Sequence, residues 1–119
     1  MLRKNVLLIL TFALLAVQAC KKDEDTTPEC DTTNVSFSQD ILPILENSCF
    51  NGCHSGSNPT SGFSLETYND VKKKVDDGRL LGSVKQESGF VAMPLNQGPI
   101  SDCNQSLIEA WINQGAPNN

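Results

Sequence analysis

The sequence predicts an all-α domain of three to four short helices joined by long loops. Three observations carry that expectation. Apolar residues recur at helical spacing in separate segments. Capping residues open those segments, and glycines close them. No run alternates convincingly between apolar and polar residues as a half-buried strand would.

With 119 residues, the chain has room for one domain. Residues 1–19 stand apart from it. Arg3 and Lys4 form a short basic start, and Val6 to Val17 is apolar apart from Thr11. That run falls short of the ~20 residues of a membrane span and fits the apolar core of a secretory signal. It ends Ala16-Val17-Gln18-Ala19-Cys20, which resembles a bacterial lipobox, although Gln18 is unusual there. The expectation is cleavage before Cys20 and a lipid on Cys20, leaving an extracytoplasmic protein anchored on the periplasmic face or the cell surface. Ordinary secretion with a plain thiol at Cys20, and an uncleaved N-terminal anchor, are the alternatives.

Residues 20–34 are polar and charged without apolar periodicity, so they read as a flexible tether. Lys21-Lys22-Asp23-Glu24-Asp25 is similar to a signal for display on the outer surface, or serves as a solvated spacer. Cleavage would remove two of nine basic residues and none of 14 acidic ones, a formal balance of −7. Such a chain has no basic face for nucleic acid. Its charge suits a basic partner protein, or solubility alone.

The domain is expected over residues 35–119. Phe37, Ile41, Ile44 and Leu45 share one helical face, with Ser36 or Ser38 as cap and Asp40 in the first turn. Pro43 should kink this helix or end a preliminary turn, since it has no N–H to donate. Residues 55–64 form a loop punctuated by Gly56, Asn58, Pro59 and Gly62. Thr67 caps a second helix with Asp70 at its third position; Tyr68, Val71 and Val75 turn inward, Lys72, Lys73 and Lys74 form the solvated edge, and Gly78 ends it. A short third helix over 80–87 turns Leu81 and Val84 inward. Ser101 caps the last, where Leu107, Ile108, Trp111 and Ile112 form a stripe before Gly115 and Pro117.

The first helix runs into Cys49-Phe50-Asn51-Gly52-Cys53-His54, which contains the only His. Two thiols followed at once by an imidazole are the pattern of covalent haem attachment. The thiols add across the haem vinyl groups and the ring nitrogen takes the iron. The usual spacing has two residues between the cysteines; here there are three. On a regular helix Cys49 and Cys53 would still share a face. Asn51-Gly52 makes a local bulge cheap, since both residues tolerate left-handed backbone.

A second axial donor must reach the opposite face of the haem. Met93 is the one Met beyond the signal, in a loop bounded by Gly89 and Pro94. As a thioether ligand it would raise the reduction potential; otherwise it fills core space. Five cysteines leave an odd one. With Cys20 taking lipid and Cys49 and Cys53 taking haem, Cys30 and Cys103 remain as one disulfide, a pairing drawn from the leftover count. Such cysteine usage points to an oxidising compartment.

The ordered set resembles a bacterial class I cytochrome c domain of the kind found on secreted lipoproteins. The resembling pieces are Asp40-Ile41-Leu42-Pro43-Ile44-Leu45, then Cys49 with Cys53-His54, then Met93-Pro94, then Leu107-Ile108-Glu109-Ala110-Trp111-Ile112-Asn113-Gln114-Gly115-Ala116. The resemblance covers about residues 35 to 117. It implies a cytochrome c-like fold around one covalent haem c, with His54 and Met93 as axial ligands and Phe63, Phe90 and Trp111 walling the haem. It also implies an electron carrier that works with redox partner proteins and is not an enzyme on its own, though it could be the electron-accepting subunit of one. Three other readings stand beside it. They are a redox-active Cys49–Cys53 disulfide, a zinc or copper site on Cys49, Cys53 and His54, and a non-redox surface lipoprotein that binds a partner or glycan.

Overall fold

A computed structural model of the chain describes residues 30–119. The expected signal over 1–19, the lipidated Cys20 and the tether as far as residue 29 lie outside the described residues. Among the described residues the structure is helical, with no strand.

Helix α1 runs through three consecutive stretches, Phe37–Ile41, Leu42–Leu45 and Glu46–His54. Ser36 caps it: the Gln39 N–H donates to Ser36 Oγ (3.3 Å), and the Ser36 N–H donates to Asp40 Oδ2 (2.8 Å). This is a reciprocal cap in which the carboxylate sits one residue later than usual, because the first turn is wound wide. The N–H groups of Ile41 and Leu42 reach back five residues, to the carbonyls of Ser36 and Phe37. The expected break at Pro43 is thus a change of winding, and the chain stays helical through Pro43. Phe37, Ile41, Ile44 and Leu45 are all buried, as their spacing predicts.

Helix α2 spans Tyr68–Asp76, with Thr67 Oγ1 accepting from the Asp70 N–H (3.3 Å) and donating to Asp70 Oδ2 (2.6 Å). Gly78, at φ +74°, supplies the left-handed residue that ends α2 and starts α3, Arg79–Val84. Within α3 it is Leu80 and Val84 that are buried, while Leu81 is half-buried against the core. Helix α4, Asp102–Asn113, is capped by Ser101 Oγ accepting from the Asn104 N–H (3.2 Å). Helix α4 packs on the opening stretch of α1 and on α3, and α2 packs on α3.

Trp111, fully buried, lies among Phe37 (ring centroids 5.6 Å apart) and Tyr68 (6.4 Å), with Phe37 edge-on to Tyr68 at 5.3 Å. Each polar tip finds a partner. Trp111 Nε1–H donates to the Pro117 carbonyl (3.0 Å), and Tyr68 O–H donates to the Ala116 carbonyl (2.8 Å). The segment after α4 then closes on the start of α1, where the Phe37 N–H donates to Asn119 Oδ1 (2.8 Å) and the Ser38 N–H to the Asn119 carbonyl (2.9 Å).

Cys30 and Cys103 form a disulfide, as the leftover count predicts, with Cα atoms 5.6 Å apart and a sequence separation of 73. Together with Gln114 Nε2, which donates to the Thr32 carbonyl (2.9 Å), it ties residues 30–34 to the domain. Composition places those residues in the tether; a covalent bond and an amide hold their end down.

Candidate functional site

The site is built where α1 ends. Cys49 lies on the regular part of its last stretch, half-buried against the core. Helical backbone then fails at Asn51 (φ −3°, ψ 48°) and Gly52 (φ 78°, ψ −1°), at the expected bulge. Gly52 takes a left-handed conformation that costs glycine little. Cys53 emerges exposed and His54 turns inward, 5% exposed. Both thiols are free.

A helix end leaves carbonyls without intrahelical partners, and the loop over 55–64 folds back to supply them. Ser55 Oγ donates to the Phe50 carbonyl (3.1 Å), Thr60 Oγ1 to that of Gly52 (3.0 Å), and the Ser61 N–H to that of Cys53 (3.1 Å). The Leu65 N–H donates to the His54 carbonyl (2.8 Å). Glu66 clamps the loop's other edge, its Oε2 accepting from the Gly56 N–H and Ser64 Oγ, each at 3.0 Å. The backbone of the motif is therefore held on both sides of its kink.

The His54 side chain is not completed in this way. Its Nδ1 is buried and has no hydrogen-bond partner among the described residues. Leaving a buried polar atom unpaired costs about 1–3 kcal/mol, so an imidazole serving only as core filler would be poorly placed here. Phe63 lies against the ring, centroids 4.5 Å apart and planes tilted by 44°. Burial holds the His54 pKa below its ordinary value, opposed by the nearby Phe63 backbone and reinforced by the positive charge of Lys74. Burial alone pushes the Cys49 thiol up to about 11.

Lys74 departs from its expected place on the solvated edge of α2. Its Nζ sits 4.3 Å from the centre of the Phe63 ring, and its side chain is only 22% exposed, against 73% for Lys73. Sequence spacing hides this contact, because Phe63 comes from the loop and not from the helix. Phe63 thus contacts both Lys74 and His54.

Met93 and Phe90 are carried by the loop that follows α3. The Met93 N–H donates to the Ser83 carbonyl (3.0 Å), the Glu87 N–H to that of Gly82 (2.9 Å) and the Phe90 N–H to that of Glu87 (3.2 Å). The Met93 side chain is half-buried. The Phe90 ring lies over Gly82, where a Cβ would come within 2.5 Å of Cδ2. Gly82 is a site residue the sequence reading passed over. Its signal was a glycine inside a helix, which costs ~1 kcal/mol against Ala and so implies a close approach. Trp111 lies in the aromatic cluster with Phe37 and Tyr68.

Among the described residues four large apolar side chains are exposed: Phe63 (37%), Phe90 (39%), Val91 (62%) and Leu95 (58%). One packs on His54 and the other three flank Met93 in sequence. Among the described residues no three His, Cys, Asp or Glu side chains are grouped so as to hold a metal ion by themselves. Comparison with known protein families, curated proteins and solved structures gives no match.

Proposed function

We propose that this chain is a c-type electron carrier, a cytochrome c-like domain holding one covalent haem and tethered outside the cytoplasm by a lipid on Cys20. The observation that carries the reading is the buried His54 Nδ1 without a partner among the described residues, in an imidazole directly following two free thiols on a kinked helix end. The chemistry of that donor set fits haem. Cys49 and Cys53 would hold it through thioethers, and His54 and Met93 would be its axial ligands. Exposed Phe63 and Phe90 would gain cover from a large flat apolar group.

Bound there, haem would supply a one-electron couple. The chain's own residues supply the rest. The Gly52 kink sets the spacing of the two sulfurs, the loop hydrogen bonds hold the His54 backbone, and Phe63 keeps water from one side of the imidazole. A dithiol redox site is less well supported, because it would leave the buried imidazole beside the two thiols without a role. The carrier would exchange electrons with redox partner proteins, and its acidic surface favours a basic one.

The test is expression with a haem-attachment system, followed by acid–acetone extraction of the denatured chain. Haem absorbance is expected to stay with the protein, and to be lost when Cys49 and Cys53 are both replaced by Ala. A folded, colourless chain from the same system would end the haem reading and favour a non-redox surface lipoprotein that binds a partner or glycan.

A further inference from the structure

We propose that Lys74, held against the Phe63 ring, is a positioning residue that raises the reduction potential of the centre at His54. The inference rests on the haem reading above and concerns how this chain tunes that group. Three consecutive lysines on α2 are used differently. Lys72, 33% exposed, pairs with Asp76, and the well-exposed Lys73 pairs with Asp70 at 3.2 Å. Lys74 instead lays its ammonium on an aromatic face, and its nearest carboxylate, Asp77 Oδ2, is 3.9 Å away and is also 3.7 Å from Arg79 Nε. Solvent does not explain that arrangement, since the lysine gives up hydration and keeps only a loose, shared ion pair.

A cation over an aromatic face is attracted to its negative quadrupole, more so when partly desolvated. Phe63 meets Lys74 and His54 at once, so it holds the ammonium near the imidazole. Nearby positive charge favours the form of the centre carrying one electron more. Asp77 works against the effect as the local counter-charge.

The experiment is a spectroelectrochemical titration of the haem-loaded full chain, with circular dichroism to confirm folding. Lys74→Met is expected to lower the equilibrium constant for reduction about threefold, about 28 mV at the ~59 mV per tenfold of a one-electron couple. Lys74→Arg should keep the wild-type potential, which a merely structural role would not require, and added salt should narrow the gap between wild type and Lys74→Met. Lys74→Gln serves as the neutral variant if the Met chain does not fold. A neutral variant that is loaded, folded and at the wild-type potential overturns the proposal and leaves the haem reading standing. A chain that retains no haem after extraction ends the haem reading itself, and this inference with it.

Discussion

Trp111 and His54 are both buried aromatic side chains with a polar nitrogen, in the same small domain, and they are completed very differently. Trp111 is enclosed by Phe37 and Tyr68, and its N–H is taken by the Pro117 carbonyl. His54 is enclosed too, but its Nδ1 meets no partner among the described residues, and the apolar side chain against it, Phe63, is left partly in water. One region is finished by the chain itself. The other is finished only for its backbone, with the side chains left reactive or exposed. Stability and function are therefore expected to separate on mutation.

The largest effect should come from the finished region. Trp111→Ala is expected to cost about 3–5 kcal/mol, enough to unfold much of a small marginal domain. Denaturant titration of the haem-free domain checks this, and a loss under 1 kcal/mol would mean the cluster is not the core. Cys103→Ser comes next. The loop it opens is long, and the chain-entropy model puts the loss at about 4 kcal/mol, within the usual 2–5. An unchanged denaturation midpoint under reducing conditions would show that the bond contributes nothing.

His54 should behave in the opposite sense. Replacing an unpaired buried polar group by an apolar one of similar shape removes a penalty. His54→Phe is expected to leave the haem-free domain as stable as wild type, or up to about 1 kcal/mol more stable, while removing the proposed ligand. Its pH dependence sharpens the point. Burial lowers the folded pKa of His54 below the ordinary 6.5, so the unfolded chain takes the proton first as pH falls. This part of the stability is complete above 6.5 and is lost as pH drops through the folded pKa. The variant should lack that acid-side decline, and an identical decline in both proteins would assign it elsewhere.

The smallest effect concerns the two thiols. In haem-free protein at pH 8, iodoacetamide should label exposed Cys53 ahead of half-buried Cys49, whose thiol is pushed up to about 11. Mass spectrometry over time reads the order. Equal rates would mean that the helix end is open and that Cys49 is not shielded by the core.

Most of the fold could be read from the residues, because helices announce themselves locally. The caps at Ser36, Thr67 and Ser101, and the buried face of Phe37, Ile41, Ile44 and Leu45, follow from spacing and short-range hydrogen bonds. The bulge at Asn51-Gly52 was legible too, since backbone tolerance is a property of the residue itself. Pro43 was only half legible: the missing donor is local, but the wide first turn that absorbs it depends on how α1 packs. In α3 Val84 is buried as expected, but Leu80 is the more deeply buried leucine and Leu81 is only half-buried against the core, because a helix of so few residues has its phase set by its neighbours.

By itself, then, the sequence determined the helical class, the helix starts and stops, the pairing of Cys30 with Cys103 by exclusion, and the residues offered for haem. Each of these depends on residue chemistry within a turn or two, or on counting. The tertiary structure alone decided that the segment after α4 closes on Phe37, that Gly82 receives the Phe90 ring, and that Lys74 leaves the solvent for Phe63. Those contacts join residues from different elements. Their geometry depends on how the helices pack, which local spacing does not encode.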